Sequence, residues 1–155
     1  MILEPFTNHK NTDNFCQVGT PVKCNTVIRL QHVDTHKFLH SHSIPSALSG
    51  QQEISAFGSD KDKTDVTDEG DNWKVECVDG NGNSAGYWER NQRIQLKHIV
   101  TKKYLSTSTS FKYTDHNCPH CPIVGHLEAF AREGSSVSNI GNTFFRAEDG
   151  VHLFH

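Results

Sequence analysis

The chain has 155 residues, 34% of them apolar and 21% charged, with a formal net charge of −3 at pH 7. That length suits one domain able to bury a core, and an acidic balance without any basic cluster argues against nucleic acid as a partner. No apolar run approaches the roughly 18 residues that a membrane helix needs, so membrane insertion is not expected, and MILEPFTNHK lacks the basic start and apolar stretch of a signal peptide.

In chain order the predicted elements are short strands: VIRL (27–30), KFL (37–39), EISAF (53–57), WKVECV (73–78), RIQLKHIV (93–100), KYL (103–105), HLEAFA (126–131), FFRA (144–147) and VHLF (151–154). These β-branched or aromatic runs are separated by clusters of Gly, Ser, Asn, Asp and Pro, which mark turns. No segment holds a 3.6-residue apolar period long enough for a helix, so the chain reads as all-β.

The strands repeat. Residues 28–41, IRLQHVDTHKFLHS, recur as 94–107, IQLKHIVTKKYLST, at a constant offset of 66. Ile28/Ile94, Leu30/Leu96, His32/His98, Thr35/Thr101, Lys37/Lys103 and Leu39/Leu105 are identical pairs. GQQEISA (50–56) echoes GHLEAFA (125–131) at offset 75, and Trp73 is matched with Phe144 at offset 71. Each unit is a strand, a turn, a strand, a long loop, a strand, a loop and an aromatic strand. Such a unit cannot cover its own apolar face. Three of them closing into one barrel-like core would remove the open edges. Phe6 lies 22 residues before Ile28, much as Trp73 lies 21 before Ile94. Phe6 therefore reads as the last strand of a preceding unit whose other strands are absent.

GTPVKC, IRLQHVDTHKFLHSH, LSGQQEISAFG, DNWKVEC and GYWERNQRIQLKH, all from residues 19–98, resemble the MIR-domain family. Within it they are similar to the stromal-cell-derived-factor-two group of endoplasmic-reticulum lumenal proteins. The MIR domains of protein O-mannosyltransferases and of the inositol-trisphosphate and ryanodine receptors are more distant relatives. The resemblance runs from about Phe6 to Gly150. It implies a β-trefoil, three four-stranded lobes about a pseudo-threefold axis, as a single domain over residues 1–155. Residues 1–19 would be a remnant of an incomplete first lobe, 20–86 the second lobe and 87–155 the third. It further implies a non-catalytic accessory of lumenal chaperone and quality-control complexes in the secretory pathway. Such a protein has no cofactor and binds a J-domain co-chaperone and unfolded client proteins.

Three departures from the family stand out. A signal peptide and most of the first lobe are missing, which points to a truncated form of a longer protein. VHLFH is not a retention signal, so residence in the lumen would depend on a partner. The third lobe also carries an insertion, YTDHNCPHCPIVGHLEAF.

The candidate site residues follow from the same repeat. His32 has a twin in His98, and a residue repeated at equivalent places serves the unit's architecture, here by capping a turn or bonding a loop carbonyl. His36 stands where the second unit has Lys102 and reads as a solvated turn residue. His40 and His42 align with Ser106 and Ser108, so these two set the first unit apart. Strand alternation puts them on one face with Ser41 opposite. The L-H-S-H and G-Q-Q stretches look like signature elements of MIR-type lobes, which makes His40, His42, Gln51 and Gln52 candidate ligand-binding residues. The competing reading has them bond one another and the backbone to fix the loop. Ligand binding would make the protein a carbohydrate or O-mannosyl-peptide module.

Cys118-Pro-His-Cys121 is similar to the redox tetrapeptide of thioredoxin-like oxidants, which need a helix after the first thiolate. Pro122 and the β surroundings do not supply one. Cys118 and Cys121 with His116 or His120 would be half of a zinc site, with no second ligand pair evident. A loop with a disulfide clip or free thiols is the plainest reading. Of Cys16, Cys24 and Cys77, two could form a bridge in an oxidising lumen; the pairing stays open, with Cys24–Cys77 conceivable at the two ends of one lobe. DKDKTDVTDEGD (60–71) lacks the EF-hand glycine, since Asp65 stands in its place, and no G-x-S-x-G elbow is present.

Overall fold

The structure, a computed structural model, describes residues 2–3, 19–58, 67–78, 86–134 and 143–148. Phe6, Cys16 and the expected strand at 151–154 lie outside these residues. The strands are β1 (Ile2–Leu3), β2 (Val27–Leu30), β3 (Phe38–His40), β4 (Gln52–Glu53), β5 (Ser55–Phe57), β6 (Trp73–Cys77), β7 (Ile94–His98), β8 (Tyr104–Lys112) and β9 (Leu127–Arg132), with one 3-10 turn at Glu69–Asp71. No helix among the described residues is long and apolar enough to cross a membrane. Seven strands form one sheet in the order β1-β2-β6-β7-β8-β9-β4, and β3 pairs with β5.

Both repeat offsets hold in the pairing. Leu39 opposes Ala56 in β3–β5, and Leu105 opposes Ala131 in β8–β9, shifts of 66 and 75. The turns repeat as well. Asn25 and Asn91, then His36 and Lys102, are left-handed at φ of 67° and 64°, then 55° and 63°. In each unit the amide of the fifth turn residue returns to the carbonyl of the first, His36 to His32 and Lys102 to His98, both at 2.9 Å. The solvated-turn reading of His36 holds on this geometry.

One match needs correction. Ile28 pairs with Trp73, and its twin Ile94 pairs with Phe145, not Phe144. Side chains alternate along a strand, so a slip of one residue exchanges core and surface. Phe145 packs on the core, while Phe144 sits under the guanidinium of Arg93 at 5.2 Å.

The core joins the copies. Ile28, Trp73, Val75, Ile94, Leu96 and Leu105 form one buried cluster, with Ile2, Leu30, Leu39 and Phe145 packed against it. Leu30 and Leu96, equivalent residues of different units, thus share one apolar centre. The strand opposite β2 is Ile2–Leu3, with Ile2 across from Leu30 as Val75 is across from Leu96. Trp73, fully buried, donates its indole N–H to the Leu39 carbonyl at 2.9 Å, tying β6 to β3. A disulfide links Cys24 to Cys77 across 53 residues, so the conceivable pairing is the one formed. The all-β units and their shared centre are those of a β-trefoil.

Candidate functional site

The turn Glu69–Asp71 is where the units meet. Asp68 caps it by accepting from the Gly70 amide at 2.7 Å, and Asp71 reaches back to accept from the Asp68 amide at 3.0 Å. This is a capping box built from two aspartates. Gly70 is required there: a Cβ would stand 2.6 Å from His40 Cε1 and 2.9 Å from the Ser41 carbonyl oxygen. Without that side chain the turn lies directly on β3.

The carbonyl of Gly70 accepts from the Ser41 amide at 3.1 Å and from His98 Nε2 at 3.1 Å. A carbonyl only accepts, so Nε2 carries the proton and Nδ1 of the neutral ring is an acceptor. Thr101 Oγ1, 2.8 Å from Nδ1, then donates to it and must itself accept from Gln52 Nε2 at 2.9 Å. Gln52 Nε2 also donates to Ser41 Oγ, which in turn donates to the Glu53 carbonyl, each bond 2.6 Å long. One directed chain of bonds therefore runs from β4 through the second unit's turn to the capped turn of the first. Burial holds the His98 imidazole down at about 4, where the normal value is 6.5. His32 bonds Thr35 in the twin turn at 3.0 Å. The expected capping role of this repeated histidine is thus present in both copies.

On the other face of β3 lies the part that does not repeat. His40 is buried, with Nδ1 2.8 Å from Asp71 Oδ1. Its ring stacks on Phe57 at 4.4 Å between centroids and meets His42 edge-on at 4.5 Å. Asp71 has no solvent exposure. Desolvation pushes its carboxyl above the usual range and outweighs the bonds from Thr67, the Asp68 amide and His40. Asp68 faces both imidazoles, 3.6 Å from His40 and 3.5 Å from His42. The second unit has Ser106 and Thr143 buried at the places of His40 and Asp71, and Thr143 accepts from Gln95 at 2.7 Å.

The four candidate ligand residues therefore divide. His40 and His42 face the acidic turn, whereas Gln52 lies behind them in the buried chain of hydrogen bonds. Gln51 is exposed beside it, and the two glutamines line a groove of about 240 Å3 with Pro45 and Lys103. Asp68 and Asp71 were missed as site residues because the loop holding them was weighed only for calcium; the D-x-x-D capping pattern ahead of Trp73 was the available signal. Glu128 was missed too. Burial raises its carboxyl, but bonds from the Leu48 amide at 2.7 Å, the Ser49 amide at 2.9 Å and Ser46 Oγ at 3.1 Å win and hold it below the usual range.

Cys118 and Cys121 are joined as a disulfide. It clips a chain of turns between β8 and β9, closed by the Gly125 amide on the Tyr113 carbonyl at 2.8 Å. His120, between the cysteines, is left-handed at φ 59°. No helix follows Cys118, and His116 and His120 are exposed. Bonded to each other, the sulfurs are not thiolates, which a zinc half-site needs.

No family model matches the chain. Over 138 residues it is 36% identical to stromal cell-derived factor 2-like protein 1 of Homo sapiens, covering 89% of this chain and 53% of that protein. The chain spans about half the length of the curated relatives it matches. The crystal structure of the SDF2-like protein from Arabidopsis thaliana superposes with a TM-score of 0.68 at 31% identity, over 99% of this chain and 71% of that one. The S. cerevisiae protein O-mannosyltransferase Pmt1-Pmt2 complex bound to the sugar donor gives 0.64 at 22% identity, over 95% of this chain and 18% of that one, a likeness of fold alone.

Proposed function

The chain belongs to the stromal cell-derived factor 2 family, and on that premise we infer that it is a non-catalytic, protein-binding accessory of chaperone complexes in the endoplasmic-reticulum lumen. It binds a J-domain co-chaperone and helps hold unfolded clients in solution. The likeness to the SDF2-like fold over nearly the whole chain carries this reading. Two further observations support it. The Cys24–Cys77 and Cys118–Cys121 disulfides suit an oxidising compartment. A groove of about 410 Å3 between the segment around β4 and the β8–β9 hairpin is lined by Pro45, Ile54, Tyr113 and Leu127 together with Ser46, Glu53 and Glu128, and Leu127 and the nearby Ile44 are exposed. A groove of mixed lining with apolar side chains at its edge can take both the backbone and the side chains of an extended segment.

The test is light scattering from a reduced, aggregating client in the presence of the purified chain with and without a lumenal J-domain protein. The expected result is delayed scattering with both present. No delay, together with a clear mannose signal on a glycan array, would replace this reading by the carbohydrate or O-mannosyl-peptide one. Insulin reduction that disappears in Cys118→Ser would instead establish thiol–disulfide catalysis.

A further inference from the structure

Three donors that the repeat does not require stand together beside β3. His40 is 4% exposed and has Asp71 on its Nδ1 at 2.8 Å. His42 and Asp68 lie at the rim, their side chains 51% and 41% exposed. Asp68 Oδ1 is 3.6 Å from His40 Nδ1, and Oδ2 is 3.5 Å from His42 Nε2. Both separations exceed hydrogen-bond length. They match the spacing of groups that share a third atom, because ligands at about 2.0–2.2 Å from one ion stand roughly 3–4 Å apart. One donor atom from each of the three lies within 4.8 Å of the others.

We propose that His40, His42 and Asp68 bind a divalent transition-metal ion of the zinc class. Two imidazoles and one carboxylate are the donor set such ions select, whereas calcium and magnesium take oxygen cages. Asp71 Oδ1 holds His40 Nδ1 at 2.8 Å in the metal-free chain, so an ion there would take the place of this bond. The exposed rim leaves the remaining coordination to water. Gly70 lets the acidic turn come close enough, since a Cβ there would collide with His40. The fold does not demand the set: the second unit has Ser106 and Ser108 at the places of the two histidines. The ion would tie the end of β3 to the loop before β6. This inference stands apart from the accessory role, and either can fail alone.

The test uses the full chain with its disulfides intact, stripped with EDTA and titrated calorimetrically with zinc chloride, with bound metal counted after dialysis. One zinc per chain is expected. His42→Ala should weaken binding at least tenfold while leaving the metal-free circular dichroism spectrum and melting temperature unchanged. Asp68→Asn should weaken it in the same sense, magnesium chloride should give no binding, and Cys118→Ser/Cys121→Ser should bind as wild type does. The proposal is overturned by a wild-type chain that takes up no zinc, by His42→Ala binding as tightly as wild type, or by loss of the metal only in the cysteine variant.

Discussion

Acidification should loosen this fold through one residue. His98 is fully buried, is neutral in the folded state and has its imidazole held at about 4 against a normal 6.5. Protonation would put a hydrogen on Nδ1, where Thr101 already donates. A folded-state value below the unfolded one means that the contribution is fully present above about pH 6.5 and is lost as pH falls toward 4. A shift of this size corresponds to roughly 3 kcal/mol in total, of which about 2 kcal/mol would be lost by pH 5. Urea unfolding followed by tryptophan fluorescence at pH 8, 7, 6 and 5 measures this directly, because Trp73 lies 5.0 Å from the His98 ring. His98→Gln, which keeps a donor for the Gly70 carbonyl and does not titrate, should be less stable at pH 8 and flatter between pH 7 and 5. Two carboxyls contribute as well. Glu128, held below the usual carboxylate range, loses its contribution only as pH falls through that lowered value. Asp71 is raised, so its contribution is present at low pH and is lost as pH rises through its folded value. A wild-type stability unchanged from pH 7 to 5, or a His98→Gln slope equal to that of wild type, would refute the reasoning.

Three further outcomes are expected. Gly70→Ala forces a methyl to 2.6 Å from His40 Cε1 and should cost about 1–3 kcal/mol in thermal or urea denaturation; an unchanged midpoint would mean that the turn does not lie against β3. Removing the Cys24–Cys77 bridge, whose cysteines are 53 residues apart, should cost about 4 kcal/mol by loop-closure entropy, against about 2 kcal/mol for the Cys118–Cys121 clip, whose cysteines are 3 apart. Equal losses in urea would count against a staple role for the longer one. Glu128→Gln replaces an acceptor of three bonds by an amide that must turn a donor toward Leu48 or Ser49, and should cost about 2 kcal/mol; a neutral effect on the urea midpoint would deny that this carboxylate holds the 46–49 loop.

What was legible in the sequence was whatever repeats. The offset of 66 placed the twin turns of His32 and His98 and gave them a structural role, and the offset of 75 set β5 against β9 before any coordinates. The single-copy features were harder to see. Phe144 and Phe145 are chemically alike and adjacent, so only the pairing of Ile94 could say which one enters the core. His40 finds Asp71 across 31 residues, and Glu128 finds Leu48 across 80. Contacts so distant in sequence leave no periodic trace. A disulfide faces the same difficulty: Cys24–Cys77 was one pairing among several until the strands brought the two Cα atoms to 5.5 Å. Asp68 and Asp71 were visible as charges but were weighed only as calcium ligands, although their three-residue spacing is that of a cap.

The accessory role is tested most directly by calorimetric titration of a purified lumenal J-domain co-chaperone with this chain, beside a mannosylated peptide as the competing ligand. The account predicts saturable binding to the J-domain protein and none to the peptide; saturable binding to the peptide with no heat from the J-domain protein would contradict it.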